Sequence, residues 1–150
     1  MKLNTDAALK DGKATLAVVA RDDTGTIINC WAKHYPTSDP RIAESVALLW
    51  ALELAKDNHF YAVVVESDAK VCIEALTVDS FTTPWKIHSL VANINFLALE
   101  FSFCVLCWVQ RDANGVVHAL AKFASTQPAY FSYIAQISPP LFVRLGLEIC

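Results

Sequence analysis

At 150 residues, with 55% hydrophobic and 18% charged side chains, the chain suits one self-sufficient core and is too apolar for a disordered tail or a solvated scaffold. Its formal net charge is −3, and its 12 Lys and Arg are scattered singly from Lys2 to Arg144, so no basic patch is visible that would by itself draw phosphates. No apolar run approaches the roughly 18 residues of a membrane span, which excludes a transmembrane helix and points to a soluble domain.

The first element expected is a strand, "LNTDAAL" from Leu3 to Leu9, in which Leu3, Thr5, Ala7 and Leu9 share one face and Lys2, Asn4, Asp6 and Ala8 the other. Aspartate is poorly suited to a strand interior, so Asp6 poses a question at once: a solvated face, or a functional group. The opening has no apolar core of a secretory signal, and its abrupt start on a strand is that expected of a domain cut from something longer.

"KATLAVVARDD" predicts a second strand, "DTG" a turn and "TIINCWAKHY" a third strand, together an antiparallel meander. "SDPRIAESVALLWALELAKDN" predicts a long helix with Asp39 as N-cap and Pro40 at its first position. "YAVVVES", apolar on both faces at Val63, Val64 and Val65, reads as a parallel strand in the middle of the sheet. "DAKVCIEALTV" predicts a second helix, and a third is expected from about Trp85 to Glu100, with Trp85 as core. "FSFCVLCWV" predicts a fifth strand, and "NGVVHALAKFAS" a helix with Asn114 as N-cap. The expected fold is α/β, a five-stranded mixed sheet of three antiparallel and two parallel strands with helices on its faces. Residues 1–126 form the domain, and 127–150, interrupted by Pro139 and Pro140 but apolar in "LFVRLGLEI", form an extension expected to dock on it.

Five cysteines cannot all pair, and they suit buried thiols of an intracellular, reducing compartment. "CVLC" (Cys104 to Cys107) does not suit zinc, because a spacing of three on a strand sends the sulfurs to opposite faces.

Three acids stand where chemistry is expected. Asp68 ends the fourth strand, at the carboxyl end where open α/β sheets place ligands, although a strand-to-helix Asp is also an ordinary N-cap. Glu44 shares a helix face with Ala47, Leu48, Ala51 and Ala55, the face that should lie on the sheet, so it belongs at the edge of the buried zone or beside a cation. The first and fourth strands are expected to be neighbours, which brings Asp6 and Asp68 together with Glu44 descending from the helix. Such a cluster persists by raising a pKa or by holding hard divalent cations such as Mg²⁺ or Mn²⁺, a pair of which can drive phosphodiester hydrolysis.

The element order, with "LNTDAA", "RIAESVALLWALELA", "VVVESDA" and "RDANGVVHALAKFA", resembles the ribonuclease H-like superfamily, specifically the reverse-transcriptase-associated domains of plant retroelements. The resemblance extends to about Ser125. It implies a five-stranded ribonuclease H-like fold, two Mg²⁺ (or Mn²⁺) ions, and endonucleolytic cleavage of the RNA strand of an RNA/DNA hybrid to a 3′-hydroxyl and a 5′-phosphate. It also implies a nuclear location. Asp6 would bridge both ions, Glu44 would hold one and position the RNA, and Asp68 would complete the first site.

At the fourth ligand position the family pattern has an acid, whereas "NGVVH" places His118 there, so the expected second ion site is weakened and the Mg²⁺ requirement raised. The loop before the last helix, "QRDANG", lacks the histidine that aids product release in cellular members. The basic, aromatic-bearing insertion that grips the hybrid is reduced to "TVDSFTTPWK". Arg111 and Asn114 are the remaining candidates for contact with nucleic acid. Two alternatives stay open: a non-enzymatic module of the same fold that binds nucleic acid or a protein, and a protein-interaction module using Tyr130, Phe131, Tyr133 and Phe142.

Overall fold

A computed structural model describes residues 1–77 and 83–127, and the backbone of 131–133. Strand β1 (Lys2–Lys10) folds back on β2 (Lys13–Arg21) through Asp11 and Gly12, both at positive φ (53° and 74°), the backbone of the tight turn that matches strand twist. From β2 the chain turns at Asp22–Gly25 into β3 (Ile27–Tyr35). The Asp22 carboxylate organises this turn by accepting from the Thr24 and Thr26 amides, both at 2.9 Å.

Helix α1 (Pro40–Asp57) starts as its sequence demands. Asp39 Oδ1 accepts from the amides of Arg41 (2.9 Å) and Ile42 (3.4 Å), and Pro40 occupies the first turn. Strand β4 (Ala62–Ser67), helix α2 (Lys70–Thr77), helix α3 (His88–Ala98), strand β5 (Phe103–Trp108) and helix α4 (Gly115–Ala124) follow. The expected third helix begins as a 3₁₀ turn at Trp85–Ile87, and a second 3₁₀ turn, Arg111–Asn114, leads into α4.

The sheet order is β5-β4-β1-β2-β3, with β4 parallel to both β1 and β5, as expected, and a three-residue β6 (Phe131–Tyr133) paired antiparallel to β3. One face packs on α1, whose Leu48, Ala51, Leu52 and Ala55 meet Leu3, Val18, Ala20, Val63 and Val65. Fully burying each of the two leucines contributes about 1.5–3 kcal/mol. On the other face Val117, Leu120, Ala121 and Ala124 of α4 cover Ala17, Val19, Cys30 and Ala32.

This layering corrects two expectations and answers one open question. The middle of the sheet is β1 and β2, buried on both faces, whereas β4 lies one strand from the edge and Val64 is only half-buried, because α4 covers β1 to β3 and stops there. Of the two readings left open for Asp6, the solvated face is ruled out, since the residue is 4% exposed. Trp85 is not core but 81% exposed, because its turn carries it over the surface while Ile87 of the same turn takes the buried position. Lys86 lies 6.0 Å from its ring and pairs with Asp39 at 3.1 Å.

The opposite facing of Cys104 and Cys107 agrees with strand alternation, since Cys104 packs with Leu106 against the α1 layer. No described helix is long and apolar enough to cross a membrane. The docking expected of 127–150 falls mostly outside the described residues, as do the side chains of Tyr130, Phe131, Tyr133 and Phe142. At the start of that segment, His34 Nε2 donates to the Gln127 carbonyl at 3.0 Å while its Nδ1 accepts from Thr15 Oγ1 at 2.8 Å, anchoring the chain after α4 to β3.

Candidate metal centre

Three elements deliver the acids. Asp6 sits in the middle of β1 opposite Ala17, Glu44 in the second turn of α1, and Asp68 directly after β4. The turn into α2 is capped by Ser67, whose Oγ accepts from the Ala69 amide at 3.1 Å. The Asp68 carboxylate is thus released from the capping role its position suggested. Each of the three acids offers an oxygen within 4.8 Å of the others, and this is the one such cluster of potential metal ligands among the described residues.

The three carboxylates crowd one another. Burial, then the charges of Asp6 and Asp68, push the Glu44 carboxyl up to about 9, and its Oε2 is buried without a hydrogen-bond partner. Burial likewise raises Asp6, opposed by a hydrogen bond from His118. The expectation that Glu44 lies at the edge of the buried zone or beside a cation is met by position only: its neighbours are two more acids.

His118, on α4, does not converge with the three oxygens but touches Asp6 alone, with Nδ1 2.7 Å from Oδ2. Arg111 Nη2 lies 3.4 Å from His118 Nε2. A guanidinium can only donate, so Nε2 accepts and Nδ1 carries the hydrogen given to Asp6. The result is a chain of carboxylate, imidazole and guanidinium running from the buried cluster to the surface.

Asn114 occupies the position before α4 but makes no side-chain cap. Instead its Nδ2 donates to the Thr5 carbonyl at 2.8 Å and its Oδ1 accepts from Asn4 Nδ2 at 3.1 Å, and with 1% exposure it offers nothing to a ligand. It fixes the 3₁₀ turn, and hence Arg111 and His118, onto the strand that carries Asp6. Asn114→Ala is expected to cost about 1–3 kcal/mol, seen as a lower melting temperature, because buried groups lose partners. A variant melting with the parent would remove this role.

An open cavity of about 350 Å³ over the cluster is lined by Asp6, Glu44, Asp68 and His118, and also by Arg41, Lys70 and Arg111. Arg41 and Lys70 escaped the sequence reading. The signal for Arg41 was its place three residues before Glu44, on the same helix face, and for Lys70 its place two residues after Asp68.

Solved structures share this fold. Ribonuclease H1 from the halophilic archaeon Halobacterium salinarum superposes with a TM-score of 0.76 at 23% identity, over 83% of this chain and 96% of that one. An RNase H1 isolated from compost, solved in complex with an RNA/DNA hybrid, gives 0.70 at 20% identity, over 81% and 94%. The foamy viral protease-reverse transcriptase in complex with an RNA/DNA hybrid gives 0.66 at 17% identity, over 83% of this chain and 19% of the viral one. These likenesses establish a ribonuclease H-like fold. No curated protein matches the sequence. The family model described as reverse transcriptase-like matches residues 4–124, from the first strand to the end of α4, and the chain belongs to that family of ribonuclease H-like domains.

Proposed function

We propose that the protein is a divalent-metal-dependent nuclease that cleaves the RNA strand of RNA/DNA hybrids, as a domain of a retroelement-derived polyprotein. The observation that carries this is the convergence of Asp6, Glu44 and Asp68 within 4.8 Å, with a buried Glu44 oxygen that has no partner. Three hard oxygen donors converging on one point, one of them a buried oxygen with no partner, fit Mg²⁺ or Mn²⁺. Complexes of similarly folded proteins with RNA/DNA hybrids support the choice of substrate.

Asp6, Glu44 and Asp68 would hold the ions, two in the active form by the resemblance, with His118 at the fourth position. Bound there, divalent ions supply Lewis-acid activation of water and stabilise charge on the departing oxygen. The chain's own work is positioning. Strand β1 fixes Asp6 through its pairing with β2 at Ala17 and with β4 up to Thr5, and the Asn114 tether fixes the turn that carries Arg111. His118 holds one Asp6 oxygen through its N–H. The free, partly or fully buried thiols Cys30, Cys72, Cys104 and Cys107 support action in a reducing, intracellular compartment, the nucleus by the same resemblance.

The test is cleavage of an RNA/DNA hybrid labelled on the RNA strand, in Mg²⁺, in Mn²⁺ and in EDTA. Metal-dependent cleavage by the parent, reduced at least a hundredfold in Asp6→Asn, is the expected result. If parent and Asp6→Asn leave the hybrid equally intact under all three conditions, catalysis is refuted. The second reading, a binding module of the same fold, draws on His118 standing hydrogen-bonded to Asp6 where an acid would complete the ligand set, and that outcome would favour it.

A further inference from the structure

We propose that Arg41, Lys70 and Arg111 form a phosphate-gripping rim around the acidic cluster, holding backbone phosphates of the hybrid on either side of the reacting phosphodiester. This rests on the nucleic-acid reading above and names the residues that give the site its affinity. The three come from separate elements, the first turn of α1, the first residue of α2 and the 3₁₀ turn before α4, yet they line one cavity with Asp6, Glu44 and Asp68.

Their place in the cavity over the acids sets them apart from the other cations. Lys2, Lys56 and Lys86 are committed to Glu66, Glu100 and Asp39. Arg41 and Arg111 have no carboxylate within 4.0 Å among the described residues, and Lys70 reaches Glu74 only at 3.9 Å. Two of the rim's members are thus guanidinium groups with unspent donors, the geometry that grips phosphate oxygens two at a time. Lys70 is held 5.6 Å from the Trp108 ring, a contact that stabilises its ammonium without neutralising it.

The His118 ring explains why Arg111 does not collapse onto the acids. It is bonded both to the Asp6 carboxylate and to the guanidinium, so Arg111 is held on the rim by one donor and keeps the others unspent. Without such cations the acid cluster would repel a polyanion. With them, the three acids share one cavity with three cations, and the fold gathers the local positive charge that the scattered Lys and Arg of a chain of net charge −3 do not show.

The experiment is fluorescence anisotropy of a labelled RNA/DNA hybrid against the full chain in Ca²⁺, from 50 to 200 mM KCl. Arg41→Gln, Lys70→Gln and Arg111→Gln are compared with Lys56→Gln, a control about 18 Å along α1 from Glu44. Each rim variant is expected to weaken binding about three- to tenfold and to reduce the salt slope of log affinity by about 0.9, while the control leaves both unchanged. Thermal melts establish that each variant is folded. Rim variants that shift the slope no more than the control, or a parent that binds no hybrid, would overturn the rim. The rim and the catalytic reading fail separately. Salt-sensitive binding lost in the rim variants, with no cleavage in Mg²⁺, sustains the rim and removes catalysis; cleavage with unaltered binding in the rim variants does the reverse.

Discussion

His118→Asp is expected to lower the Mg²⁺ concentration for half-maximal hybrid cleavage at least tenfold. In the parent the imidazole donates Nδ1–H to Asp6 Oδ2 at 2.7 Å, so it occupies an oxygen that an ion could use and adds no negative charge of its own. Aspartate at this position frees that oxygen and brings the cluster from three carboxylates to four. A tenfold change corresponds to about 1.4 kcal/mol, a modest demand for one added carboxylate close to a divalent ion in a partly buried site. His118→Ala separates the two contributions, because it frees Asp6 without adding charge and should recover only part of the effect. Isothermal titration with Mg²⁺ and with Mn²⁺ checks the binding independently of turnover. An unchanged metal requirement in His118→Asp would show that His118 is not what limits the centre.

Glu44→Gln is expected to stabilise the metal-free protein, and increasingly so as pH rises. The ordinary value of a glutamate is 4.5, and burial beside Asp6 and Asp68 pushes Glu44 up to about 9. An acid raised on folding binds a proton in the native state that the unfolded chain has already released. Its penalty is absent below about pH 4, grows as pH passes from 4.5 toward 9, and is complete above that. Glutamine carries no such cost. Relaxation of the site limits the gain to about 1–3 kcal/mol, the range for an unsatisfied buried group, or about 3–9 °C in melting temperature at pH 8 in EDTA. At pH 4 the two proteins should melt nearly together. Mg²⁺ should reverse the order at pH 8, because an ion bound by the native parent stabilises it and the variant has lost a ligand. A variant less stable than the parent at every pH in EDTA would show that Glu44 is a structural group and not a ligand held at a cost.

Much of this molecule is written in short-range pattern. Alternation over Leu3–Leu9, the Asp-Pro start of α1 and the β-branched run before Asp68 each report which way a side chain faces on its own element, and these place Asp6, Glu44 and Asp68 on β1, α1 and the end of β4. Chain order and short connections then suffice to set β4 beside β1 in parallel, and with that the three acids converge.

Tertiary structure alone decided what covers each face and what each polar group bonds. Periodicity could not show that α4 would bury the Asp6 side of β1, that Trp85 would be left outside while Ile87 turned in, or that Asn114 would spend its amide on Thr5 and Asn4 instead of capping its helix. It could not gather Arg41, Lys70 and Arg111, which lie 29 and 41 positions apart, into one rim. The physical reason is range. Backbone geometry repeats every two or 3.6 residues and leaves its mark in neighbouring letters, whereas solvation, charge pairing and hydrogen-bond satisfaction depend on groups that become neighbours only when the sheet and its helices close on one another.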